Sequence, residues 1–144
     1  MRLRPFLLGI IILVFEACYS DKDDNINRSD CEQLACTEEF RTITVSVQNS
    51  DGEPVALDSI KVVIQENDKD ITETLIGDGF ERYQESGSYP VFNDLFTAEY
   101  RNDEVNISFS GFLSEEEVVS AIYKAGADCC HVYLISGETN LVLE

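Results

Sequence analysis

Three stretches of the chain alternate apolar and polar residues with a period of two. Ile43, Val45 and Val47 alternate with Thr42, Thr44 and Ser46. Ile60, Val62 and Ile64 alternate with Lys61, Val63 and Gln65, and Val105, Ile107 and Phe109 alternate with Asn106, Ser108 and Ser110. A period of two places one set of side chains on a single face, so each stretch predicts a half-buried strand. Turn chemistry separates them. Asn49-Ser-Asp-Gly-Glu-Pro54 allows positive φ at Asp-Gly and breaks the ladder at Pro54. Glu66 to Asp70, Gly77-Asp-Gly79, Ser86-Gly-Ser88 and Gly137-Glu138 mark further turns.

The remaining apolar runs are shorter. Ile71 to Ile76 and Phe80 to Tyr83 read as strands, and Tyr89 to Phe96 as a strand or packed loop. Glu115 to Lys124 has an acidic start after Ser114 that suits a helix N-terminus, but its Val, Ile and Tyr content favours a strand. Cys129 to Ile135 and Asn140 to Leu143 complete the set. About seven to nine short strands, with turn signals roughly every 8–15 residues and no long amphipathic helix, predict an all-β protein. The architecture expected is a single antiparallel β-sandwich over residues 39–144.

The N-terminal segment differs in kind. Arg2 and Arg4 precede the apolar run Phe6 to Phe15, which is short for a membrane span but matches a secretory signal peptide over residues 1–17. An ordinary signal peptidase would want a small residue where Phe15 stands. Phe15-Glu-Ala-Cys18 instead resembles a bacterial lipobox, although Phe15 and Glu16 depart from its usual aliphatic and small residues. That resemblance implies that Cys18 becomes a lipidated N-terminus, with a plain secreted protein or an uncleaved anchor as the other readings. Stable anchoring takes more than one acyl chain, and a triacylated Cys18 supplies them. Lys22-Asp-Asp24 resembles the surface-export signal of some Gram-negative lipoproteins, which implies an outer-membrane protein facing outward. A periplasm-facing lipoprotein with a solvated acidic tether is the alternative. Residues 18–38 are read as that tether.

Four cysteines remain: Cys31, Cys36, Cys129 and Cys130. An even number in an exported chain predicts two disulfides. A vicinal Cys129–Cys130 bond would be strained, which favours the two pairings that join the first pair of cysteines to the second. A zinc site built from these cysteines and His131 is the rival, but the spacing is not that of paired Cys-x-x-Cys ligands. His131 is otherwise read as an ordinary strand histidine.

Ile43-Thr-Val-Ser-Val-Gln-Asn-Ser-Asp-Gly-Glu-Pro-Val55 followed by Ile60-Lys-Val-Val63 resembles the opening hairpin of carboxypeptidase-regulatory-like and transthyretin-like domains. Asp58-Ser59 replaces the small residue usual before the second strand. Over these twenty or so residues, the resemblance implies a Greek-key sandwich of prealbumin type with about seven strands. It implies no catalysis, because in carboxypeptidases that domain is an accessory, and a fold does not confer a function.

Composition narrows the chemistry. The 144 residues carry 28 acidic and 10 basic side chains, for a net charge of −18, with one His and no Trp. Phosphate recognition needs a basic surface, so nucleic acid is excluded as a partner. His131 is the one imidazole available to a nucleophile, Phe109-Ser-Gly-Phe112 lacks a nucleophile elbow, and no phosphate-binding Gly loop is present. The expectation is a non-enzymatic protein without a cofactor or resident metal. It contacts the membrane through Cys18 and binds a protein or glycan ligand, or serves as an accessory subunit of an envelope complex.

Candidate ligand groups are Tyr83, Tyr89, Phe92, Phe96 and Tyr100, since aromatic faces suit sugars and hot spots. The acidic pairs Asp68/Asp70 and Asp94/Asp103 are candidates for Ca²⁺. Asp21, Asp23, Asn25, Asn27, Ser29 and Glu32 match the spacing of a Ca²⁺ loop, except that Ile26 replaces its glycine. Asp58-Ser59-Ile60 resembles a bacterial O-glycosylation acceptor.

Overall fold

The structure, a computed structural model, describes Cys31 and residues 34–143. Cys18, the signal segment and the Asp21–Glu32 spacing match therefore lie outside the described residues. The chain forms β1 (Thr42–Asn49), β2 (Ser59–Ile64), β3 (Lys69–Asp70), α1 (Thr72–Ile76), α2 (Phe80–Ser86), β4 (Ser88–Asn93), β5 (Asp103–Leu113), β6 (Glu116–Ala127), β7 (Val132–Ser136) and β8 (Asn140–Leu143). A short 3-10 turn, Asp94–Phe96, follows β4. The strands make two sheets, a three-stranded sheet of order β4-β1-β8 and a five-stranded sheet of order β3-β2-β5-β6-β7. The all-β expectation holds.

The alternation works as predicted. Val45 and Val47 on β1, Val62 and Ile64 on β2, Ile107 and Phe109 on β5, and Tyr123 on β6 are fully buried, and both sheets contribute to one core. Each such side chain withdrawn from water contributes about 1.5–3 kcal/mol, before the entropy of ordering the chain is charged against it. The Asn49 side chain organises the first turn. Its Oδ1 accepts from the Asp51 N–H at 3.0 Å and the Glu53 N–H at 2.9 Å, while Gly52 takes φ 81°. The Glu115–Lys124 region is strand, and the tight turn before it explains the ambiguity. Ser114 and Glu115 both adopt positive φ, at 50° and 67°, as a primed hairpin turn requires. The Asp58 carboxylate accepts from the Ser114 N–H at 2.6 Å and holds that turn.

Three expectations are corrected. Ile71–Ile76 and Phe80–Tyr83 are not strands but lie in the short helices α1 and α2. Ile71 and Leu75, four residues apart, are the buried pair, and Phe80 and Tyr83, three apart, are half-buried, so the period is helical over too few residues to be told from a strand. Asp70 accepts from the Thr72 N–H at 2.9 Å and starts α1, and Gly87 in the left-handed region ends α2. Second, the strand pairing is not wholly antiparallel, because β1 pairs β8 in parallel, from Ser46↔Asn140 to Asn49↔Leu143. Third, Cys129, Cys130 and His131 precede β7 in a link rather than lying on it.

Tyr89 fastens the crossover between the sheets. Fully buried, it donates its hydroxyl proton to the Val55 carbonyl at 2.7 Å and accepts from the Leu57 N–H at 2.7 Å. Burial, against the lowering effect of the Leu57 N–H, pushes its phenol above the usual range. Tyr89→Phe leaves both backbone groups without their partner. It should cost about 2–3 kcal/mol in a urea titration, and a cost near zero would show that water reaches them.

Candidate functional site

The bridges run Cys31–Cys129 and Cys36–Cys130, one of the two crossed pairings. They fasten the segment before β1 to the link between β6 and β7. In the chain-entropy model the first closes 98 residues and restricts the unfolded chain by about 4–5 kcal/mol. Once it exists, the second closes only a small ring and adds about 2–3 kcal/mol.

Beneath the bridges lies a buried polar network. His131 Nδ1 is 2.7 Å from Asp94 Oδ2, and Nε2 is 2.8 Å from Thr37 Oγ1. A carboxylate only accepts, so Nδ1 donates to Asp94. Asp94 also accepts from the Arg41 N–H at 2.8 Å and the Val132 N–H at 2.8 Å. Asp128 Oδ1 accepts from the N–H groups of Cys130 at 2.7 Å and His131 at 2.8 Å. Burial pushes the Asp94 carboxyl upward, but the Arg41 N–H, His131 and the Val132 N–H together outweigh it and hold the group below its ordinary value. The Cys130 and His131 N–H groups likewise lower Asp128.

Hydroxyl, imidazole and carboxylate in line is the order of a nucleophile triad. Here, however, the His131 ring and the Asp94 side chain are each only 9% exposed, and Thr37, His131 and Asp94 line neither of the surface depressions on the outer face of the larger sheet. The network's evident work is to fasten residues 37–41, the start of β7 and the end of β4 together. The expected strand histidine is thus a buried cross-link. Asp94, a candidate Ca²⁺ ligand, has both oxygens taken by this network, and Asp103 Oδ1 accepts from the Glu104 N–H. Asp70 is occupied with Thr72.

The aromatic candidates disperse. Tyr89, Phe92 and Phe96 are buried in the core, with Phe92 stacked on Phe96 at 5.0 Å, and Tyr83 and Tyr100 are packed partly against the core. They form no exposed platform. A different surface stands out, the outer face of the five-stranded sheet. Register places Lys61, Ser110 and Ser120 in one row, and Val63, Ser108 and Ile122 in the next. Asn106 and Lys124 follow. No carboxylate stands in the first two rows, although the chain carries 28 of them; in the next, the Glu66 carboxylate accepts from the Asn106 side chain at 2.8 Å. Lys124 pairs with Glu104 at the margin.

A shallow depression of about 530 Å³ lies over this face between Gln65, Ser108, Ser110, Ser120 and Ile122. A second, of about 620 Å³, adjoins it at Lys61 and is lined by Ser59, Thr72, Phe112, Asp70, Glu73 and Glu115. Ser59, of the acceptor-like tripeptide, is exposed at this rim. Reading residues singly missed this face, because it emerges only when the polar halves of three alternating strands are set side by side.

The chain matches no protein-family model, no curated protein and no solved structure.

The Asp94 network carries a pH signature. Its folded-state pKa lies below the ordinary value of 3.8, so its stabilisation is complete above that value and is lost as pH falls through the lower folded value. Asp94→Asn should cost about 2–3 kcal/mol at neutral pH, the worth of its charge-assisted bonds. It should also flatten the acid limb of stability below about pH 4 in urea titrations. An unchanged acid limb would assign that limb to the other depressed carboxylates, such as Asp128 and Asp70.

Proposed function

We propose that this chain is a non-enzymatic envelope lipoprotein. It is anchored through Cys18 in the outer membrane and faces outward, and its β-domain acts as a binding or accessory module. The observation that carries the reading is the pair of central rows on the outer face, Lys61, Ser110 and Ser120 and then Val63, Ser108 and Ile122, which hold no carboxylate on a chain of net charge −18. Solvation alone gives no reason to keep these central rows clear of carboxylates, whereas a ligand that must shed water there does. The basic start, the apolar run Phe6–Phe15 and Ala17-Cys18 support the anchor, and Lys22-Asp-Asp24 supports surface display. The expectation of a prealbumin-type Greek-key sandwich is kept as part of this proposal. The two sheets sharing one core, and the return of the last strand beside the first, support it.

A neutral glycan is the ligand class that specific residues favour. Ser108, Ser110, Ser120 and Gln65 offer uncharged donors and acceptors around Ile122, and Phe112 offers an adjoining half-exposed ring. The alternative role, as accessory subunit of an envelope complex, would use the sheet edges.

Two measurements test the proposal. Cys18→Ala should abolish incorporation of labelled palmitate and shift the protein from the detergent phase to the aqueous phase in phase partition. Persistence in the detergent phase would overturn the anchor. On a glycan array, binding to neutral oligosaccharides should fall about tenfold in Ser110→Glu, a loss of about 1.4 kcal/mol. Silence across the array at high micromolar protein would remove the glycan reading.

A further inference from the structure

Each sheet has two outer edges, β3 and β7 in the larger and β4 and β8 in the smaller. An outer edge is a row of unpaired N–H and C=O groups that accepts another extended chain unless shortness, charge, proline or cover prevents it. β3 is two residues long, and both, Lys69 and Asp70, are charged and exposed. β4 contains Pro90, is buried over Tyr89–Asn93 and packs against α1 and α2. β8 is likewise uncharged, with Val142 exposed, but only four residues long; β7 is longer and has none of these protections. Tyr133, Leu134 and Ile135 are 43%, 36% and 40% exposed, and no residue of the strand is charged. Tyr133 lies across Gly126, where an added Cβ would come within 2.6 Å of its ring. Residue 126 thus keeps the ring flat on the sheet. The β6–β7 register shifts at Lys124/Ala125, which leaves Ile135 as the extra, bulged residue; the bulge bends the edge without charging it.

We propose that β7 takes an extended, cationic segment of a partner protein as an added strand. This deepens the accessory-subunit reading and rests on it. Main-chain hydrogen bonds along β7 would supply affinity, and alternate side chains of the segment would meet Tyr133 and Leu134. At about 3.3 Å per residue, the five residues of β7 suit a segment of about five residues. Charge selects its type. The uncharged strip is bordered by Asp128 and Glu138 and belongs to a chain of net charge −18, whose field draws basic segments in. A second copy paired at this edge would repeat the acidic borders at Asp128 and Glu138 and a net charge of −18 instead of complementing them, across a strand spacing of about 4.8 Å. That is well inside the screening length of about 8 Å at physiological salt.

The test uses the full chain in lipid nanodiscs and a synthetic octapeptide of alternating Val and Thr flanked by Lys. The peptide should bind with a Kd below about 1 mM at low salt and weaken as salt rises. It should also slow amide hydrogen exchange in residues 132–136. The same peptide with Glu for Lys should bind at least about tenfold more weakly. Ile135→Pro, at the bulged position, and Ile135→Lys should each abolish binding and leave the fold intact. The proposal is overturned by any of three results: no binding up to about 1 mM, equal binding of the acidic peptide, or binding that both variants leave unchanged. Light scattering that shows the chain pairing with itself, in a manner lost in Ile135→Lys, would assign the edge to a second copy and also overturn it. These failures leave palmitate labelling at Cys18 and the glycan array untouched, so they are distinguishable from failure of the broader proposal.

Discussion

The carboxylate of Asp94 is where the two sheets are tied at one end. It accepts from the backbone of Arg41 just before β1, from the backbone of Val132 at the start of β7 and from the ring of His131, while Asp94 itself begins the turn that leaves β4. A buried carboxylate is costly unless its lone pairs are filled, and here the filling groups come from two segments distant in sequence, Arg41 and His131–Val132. The backbone N–H of Asp94 in turn donates to the Arg41 carbonyl at 3.0 Å, so residue 41 extends the β1–β4 ladder by one step. The two disulfides sit over this junction and keep the Thr37 segment close enough to His131 for the network to close.

The legible parts of the fold were those in which three apolar residues recur at a strict spacing of two. Ile43–Val47, Ile60–Ile64 and Val105–Phe109 repeat their period often enough to exclude a helix, and they became β1, β2 and β5. The segments Ile71–Ile76 and Phe80–Tyr83 each present one buried spacing, too little to distinguish a period of two from one of 3.6. The cysteine count narrowed the bridges to two arrangements, between which adjacent Cys129 and Cys130 cannot discriminate without coordinates. His131 was the hardest residue to read. Its partners Asp94 and Thr37 are 37 and 94 residues away, and nothing local marks them. The aromatic candidates failed for a related reason, because Tyr89 and Phe92 are adjacent to the polar residues Ser88 and Asn93 yet face the core.

The acidity is unevenly placed. Carboxylates crowd the turns and the chain ends of strands, as at Asp51, Glu53, Glu66, Asp68, Glu115 and Glu116, where water solvates them freely. The strand interiors of the larger sheet stay clear of them on both faces, inward because charge cannot be buried unpaired and outward without that necessity. The inward exclusion is a condition of folding. The outward one has no such cause, which is why the ligand reading is attached to that face.

The clamp also decides how the domain bears load. Tension applied through the residues that precede Cys31 would meet the Cys31–Cys129 bond before it reached β1. It would pass into the β6–β7 link and be carried as shear by the long β5–β6 ladder, which runs from Asp103↔Ala127 to Leu113↔Glu116. The parallel β1–β8 pairing, at four residues the shorter and weaker of the two, stays out of the force path. A domain tethered by its leading segment can therefore be tugged without being unzipped from its first strand.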